Sequence, residues 1–196
     1  MKKILSLLIV ALLVTAGAVY AAAAPQNKAE AAGNKVLIVY FSHSGNTAKA
    51  AEALQQATGG CTMKLIPCTP YPQDYDTCVA QAKKEIKEGA EPELIPANIA
   101  FDAFDVVFVG SPNWWGTIAP PVRTFLKTYD LSGKKVAFFN THGGGGMQRC
   151  EKDFKALLPK DAVYLSGIAL PGSDTAGYAK DIPAWLKGFF KSLPKK

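Results

Sequence analysis

The chain alternates between short, almost wholly apolar runs and longer stretches in which apolar positions return every three or four residues. Residues 35–41 (KVLIVYF) have the continuous apolar character of a strand covered on both faces. Residues 47–57 carry alanines and Leu54 at helical spacing. Residues 61–66 (CTMKLI) predict a second strand, and 75–88 (YDTCVAQAKKEIKE) an amphipathic helix with Asp74 as N-cap and Gly89 as stop. A buried strand at 105–110 (DVVFVG), a helix at 120–129 with proline in its first turn, a strand at 135–141 (KVAFFNT) and a helix at 148–158 follow. A weaker strand at 163–168 and a last helix at 176–192 complete the series. Such alternation with short connections predicts an α/β fold, a parallel sheet with helices on both faces, because right-handed crossovers place them there.

The first residues break this pattern. Met1, Lys2 and Lys3 give a positive start, residues 4–19 are apolar, and four alanines end at Ala24. That order is the signature of a secretory signal peptide, so residues 1–24 are expected to direct export, to the periplasm. The alternative is an uncleaved membrane anchor, since 4–24 is uncharged and about long enough to span. Residues 25–34 read as a polar, alanine-rich linker, and residues 35–196 as one domain with a sizeable core. Of the 22 Lys and Arg, two lie in the leader and no acid does, which leaves about +4 on the exported part. The basic residues are dispersed, so nucleic acid is not an expected partner, and a membrane is one only through a retained leader. Cys61, Cys68, Cys78 and Cys150 lack CxxC spacing, against a zinc site. In an oxidising compartment Cys68 and Cys78 are the first pair expected to join.

In open parallel sheets ligands sit beyond the carboxyl ends of the strands. Three segments with unusual residues fall there. Ser42, His43, Ser44, Gly45, Asn46 and Thr47 lie between strand and helix, where backbone N–H groups and the helix dipole attract an anion. Their hydroxyls and amide add neutral donors, and Gly45 permits a tight turn. No Gly-Lys-Ser/Thr is present, so this is not a P-loop; a single terminal phosphate, as on a mononucleotide, suits it. Pro112, Asn113, Trp114, Trp115 and Gly116 form the second segment. Adjacent tryptophans cannot both pack inward easily, and an exposed indole can stack on a flat heterocycle. The third holds Thr141, His142, Gly143 and Gly144 within a run of four glycines, which allows close backbone approach to a ligand. Either histidine, the only two in the chain, could move a proton near the site.

Together these segments resemble the flavodoxin-like family over nearly the whole exported part. The family's hydroxyl-rich phosphate turn ending Gly-x-Thr is similar to residues 42–47, and its flavin-stacking aromatic before a glycine is similar to Trp115-Gly116. The stretches SPNWWGTIAPPVRTFL and PYPQDYDTCVAQAKKEIKEGAEPEL are similar to flavodoxin-like quinone and flavin reductases. The resemblance implies a three-layer sandwich, a five-stranded parallel sheet of order 2-1-3-4-5, and FMN as cofactor. The chain departs from it in three ways: it is basic where electron-carrying flavodoxins are acidic, Thr117 stands where an acid is usual, and the third segment has no aromatic to cover the ring. Two functions follow. One is an electron carrier acting between partner proteins through FMN. The other is an FMN-dependent oxidoreductase that meets a quinone-like molecule or NAD(P)H at an open flavin face.

Overall fold

The computed structural model describes residues 35–192. The leader and linker expected at 1–34 lie outside the described residues, as do 193–196. Five parallel strands form the sheet: β1 (Val36–Tyr40), β2 (Cys61–Lys64), β3 (Val106–Trp114), β5 (Lys135–His142) and β6 (Val163–Pro171). Their order is β2-β1-β3-β5-β6, and a two-residue β4 (Thr117–Ile118) folds back antiparallel on β3. Counted over the parallel strands alone, this is the expected 2-1-3-4-5 order. The helices are α1 (Asn46–Thr58), α2 (Tyr75–Glu88), α3 (Pro120–Thr128), α4 (Cys150–Lys155) and α5 (Tyr178–Ser192).

The continuous apolar strands divide by their two-residue period. Leu37, Val39, Val107, Val109, Val136 and Phe138 point to one face and meet Cys78 of α2, Val122 and Phe125 of α3 and Phe154 of α4. Val36, Ile38, Val106, Phe108, Ala137 and Phe139 point to the other and meet Ala50, Ala51 and Leu54 of α1 and Ile182, Leu186 and Phe189 of α5. The result is a three-layer sandwich, α1 and α5 on one side and α2, α3 and α4 on the other.

Local chemistry sets the helix ends. Asp74 caps α2 by accepting from Thr77 N at 2.9 Å, and Gly89 ends it in the left-handed region. Helix α4 is shorter than the periodicity of 148–158 suggests. Gln148, at φ 45°, lies outside helical space before it, and after Lys155 the N–H groups of Leu157 and Leu158 bond three residues back, to the Phe154 and Lys155 carbonyls. Cys68 and Cys78 are not bonded: Cys78 is buried on the inner stripe of α2 while Cys68 is exposed, and Cys61 and Cys150 are free as well. Among the described residues no helix is long and apolar enough to cross a membrane, and no His, Cys, Asp and Glu cluster could hold a metal ion.

Burial makes the first core, under α2, α3 and α4, alkali-sensitive. It pushes the Cys150 thiol up to about 12, and burial together with Glu151, which accepts from Tyr164 Oη at 2.6 Å, holds the Tyr164 phenol above its usual range. For an acid raised in the folded state, stability is full below the unfolded pKa, about 8.5 for Cys and about 10 for Tyr. It is lost as pH climbs toward the folded value. Urea midpoints should therefore fall steadily above about pH 8.5, and Cys150→Ala should shallow the first part of that fall. An unchanged slope in this variant would remove Cys150 as a cause.

Candidate functional site

At the carboxyl ends of β1, β3 and β5 the chain surrounds a cavity of about 970 Å³. All three segments singled out in the sequence reach it. His43, Ser44 and Asn46 line it from the first, Pro112, Asn113, Trp114, Trp115 and Gly116 from the second, and Thr141, His142 and Gly143 from the third. Ser42, Gly45, Thr47 and Gly144 support these walls rather than line them. The sequence reading missed the wall that α2 contributes through Tyr75, Cys78, Val79 and Ala82, a stripe at three- and four-residue spacing. It also missed Gln148 and Arg149 beyond the glycines. Their only advance signal was position next to the third segment.

The first loop is built to accept an anion. Gly45, at φ 93°, is the N-cap residue of α1, and no side chain caps that helix, whereas α2 has Asp74. The first-turn N–H groups therefore lack the acceptor that a capping side chain supplies. Ser42 Oγ is buried without a partner. Such a hydroxyl costs about 1–3 kcal/mol unless something accepts from or donates to it. Thr47, also buried, shares a 2.8 Å hydrogen bond with Thr141 Oγ1. That bond ties the first turn of α1 to the tip of β5.

The second segment is a hairpin. Strand β3 runs on to Trp114, and Trp115 (φ 53°) and Gly116 (φ 82°) turn it back into β4. Positive φ at both central residues is the geometry of a primed two-residue turn, usually Asn-Gly. Here a tryptophan occupies the first position, a strained backbone for a bulky residue. The turn sends the two indoles apart. Trp114 packs among Tyr71, Phe41 and His43, with ring centroids 4.9, 5.4 and 6.1 Å away. Trp115 is 49% exposed; its Nε1 donates to Val79 O at 3.2 Å and Lys83 Nζ sits 4.7 Å from its ring centroid. The Gly116 carbonyl, expected to approach a ligand ring, accepts from Arg149 N at 3.0 Å. Thr117 is buried and donates to Asp153 at 2.6 Å, so it does not face the cavity.

Asn113 connects the second segment to the third. Its Oδ1 accepts from Gly116 N at 2.9 Å, and its Nδ2 donates to Gly146 O at 2.8 Å and Gln148 Oε1 at 3.2 Å. Buried Asn140 also donates to Gly146 O, at 3.2 Å. The glycine run is thus pinned at its end and otherwise presents backbone. His142 Nδ1 accepts from Gly144 N at 3.1 Å, so the donor nitrogen of the neutral ring is Nε2. Cys78 faces the cavity as a neutral thiol, raised by burial and then by Glu85. Asn113→Ala should lower ligand affinity about tenfold and stability by about 1–3 kcal/mol, the worth of two or three hydrogen bonds. Asn113→Asp keeps the acceptor for Gly116 N but turns a carboxylate oxygen onto the Gly146 carbonyl and Gln148 Oε1, so it should recover neither; flavin-fluorescence titration and urea unfolding read them.

A parallel sheet of this order, with a donor-rich loop after β1 and an aromatic hairpin after β3 on one cavity, defines an α/β protein built for a mononucleotide with a flat ring. The flavodoxin family model matches residues 35–188, and the chain belongs to that family. A candidate flavoprotein from Bacteroides eggerthii is 30% identical, with a TM-score of 0.71, over 80% of this chain and 98% of that one. Its counterpart from Bacteroides uniformis is 25% identical, with a TM-score of 0.69, over 79% and 98%. A flavoprotein from Lactobacillus acidophilus, solved in complex with FMN, is 25% identical, with a TM-score of 0.60, over 75% and 99%. No curated protein matches the sequence. FMN is the family's cofactor, and the residues present fit it. The unpartnered Ser42 hydroxyl and the uncapped α1 terminus suit the phosphate, while Trp115 and the backbone of the glycine run offer a slot for the ring.

Proposed function

We propose that this chain is an exported FMN redox protein that passes electrons to a flat, quinone-like acceptor on the open side of its cavity. One observation carries the reading: an added Cβ at Gly143 or Gly144 would meet nothing within 4 Å, whereas Gly145 of the same run is met by Gln148. The cavity wall is therefore open at Gly143 and Gly144. A cavity of about 970 Å³ is also at the upper end of the ~300–1,000 Å³ that small-molecule sites occupy. When bound, FMN supplies one- and two-electron chemistry that no side chain here can provide. The protein's part is to hold the phosphate with Ser42, Ser44, Asn46 and the first turn of α1, and to set the ring against Trp115. The Asn113 bonds keep the hairpin and the glycine run at a fixed separation.

The export expected from residues 1–24 bears on the electron source, because an exported protein meets little NAD(P)H. A membrane-linked or periplasmic donor is the consistent partner, and N-terminal sequencing of the exported form should find a start near Ala24. An intact Met1 would instead support the anchor. The purified protein should be yellow, and after anaerobic reduction it should be reoxidised by quinone much faster than free FMN at equal concentration. A colourless protein that does not quench flavin fluorescence would sink the FMN reading. A yellow protein indifferent to quinones would leave the second reading, a carrier between proteins, which the 49% exposure of Trp115 at the rim supports.

A further inference from the structure

The phosphate end of the cavity works with neutral donors, yet its ring end is cationic. Arg149 is part of the wall, placed there because its own N–H is bonded to the Gly116 carbonyl at 3.0 Å. Lys83 of α2 is not part of the wall, but its ammonium sits 4.7 Å from the ring centroid of Trp115, which is. No aspartate or glutamate lines the cavity. The nearest described counter-charge to Arg149 is Asp153 of α4, 4.0 Å from Nε, and that carboxylate also accepts from Thr117 at 2.6 Å. The Arg149 side chain is 65% exposed, and among the described residues its terminal nitrogens have no hydrogen-bond partner. A cation is not needed at this end for the cofactor, whose phosphate belongs at the helix terminus beyond Asn46. Arg149 in the wall and Lys83 over the exposed indole, at a cavity lined by no acid, raise the local concentration of anions and repel cations.

We propose that Arg149 and Lys83 form an anion subsite that selects, as the second ligand of the cavity, flat aromatic compounds carrying a carboxylate or sulfonate. The proposal rests on the FMN reading above and names the charge class of the acceptor. The planar guanidinium of Arg149 can grip both oxygens of such a group, while Lys83 acts as a point charge behind the stacking surface. Neutral quinones of the same ring size would keep the stacking and lose the anchor.

The test is calorimetric titration of the oxidised, FMN-loaded protein with anthraquinone-2-sulfonate and with the uncharged 2-hydroxymethyl anthraquinone. The sulfonate should bind roughly tenfold more tightly, about what two partly exposed charges supply, and the preference should shrink as salt is raised. In Arg149→Gln/Lys83→Gln the ratio of the two affinities should fall to near one, and Arg149→Lys, which keeps the charge and loses the fork, should fall between that and the wild-type ratio. Retained flavin absorbance shows that the variants still fold around FMN. Equal affinities in the wild-type protein, or a preference that survives the double substitution, overturns the subsite. A preparation that takes up no FMN overturns the proposed function, and the subsite falls with it; the absorbance spectrum separates the two failures.

Discussion

Replacing Gly110 with alanine should destabilise the protein by about 3 kcal/mol, the upper part of the range for overpacking a core. Gly110 lies inside β3, paired with Tyr40 of β1 and Phe139 of β5. A Cβ there would meet the Phe139 ring at 2.2 Å, with two more ring carbons within 2.8 Å. Phe139 is fully buried against α1 and α5, so its ring has nowhere to retreat. The change should lower Tm by roughly 6–12 °C for a domain of this size. Gly110→Ala/Phe139→Leu should recover a good part of that loss, since it removes the colliding atoms. A single variant as stable as the wild type would show that the sheet can shift locally. The effect reaches the site, because Gly110 precedes Ser111 and Phe139 precedes Asn140 at the tips of the strands that hold it.

Gly110 also shows where the sequence could be read and where it could not. At the end of DVVFVG it looks like a stop, and a strand at 105–110 is the natural reading. The strand in fact continues to Trp114, because this glycine makes room for a ring on the neighbouring strand rather than a turn. That reason is a contact between residues 29 positions apart, which no local pattern contains. By contrast α2 starts and stops where Asp74 and Gly89 say it should, since capping is local chemistry. The donor-rich first loop was legible for the same reason: hydroxyls, an amide and a glycine between a strand and a helix are visible in six consecutive residues, while the missing side-chain cap is seen only in the fold. The α2 wall of the cavity was not. Its stripe of Tyr75, Cys78, Val79 and Ala82 looks like any core-facing helix until the topology sets it across from Trp115.

The adjacent tryptophans make the second large prediction, which separates affinity from stability. Trp115→Ala should weaken FMN binding by about 1–3 kcal/mol, the worth of stacking a flat base on an aromatic side chain. The apo-protein should barely change, because the indole is 49% exposed and its backbone at φ 53° is strained for a bulky residue. Trp115→Gly should bind FMN as poorly while gaining roughly 1 kcal/mol of apo-protein stability, because glycine relieves that strain. Trp114→Ala should behave in the opposite way. Its ring packs edge-on against Phe41 and Tyr71 over the first core, so its loss opens a hole beneath the cavity. The stability comparison must be made without FMN, since a ligand bound only to the folded state adds its own stabilisation. If Trp114→Ala loses FMN with apo-protein stability intact and Trp115→Ala loses neither, the stacking surface is the inner indole. The hairpin would then be a clamp over the aromatic cluster rather than the face on which the flavin lies.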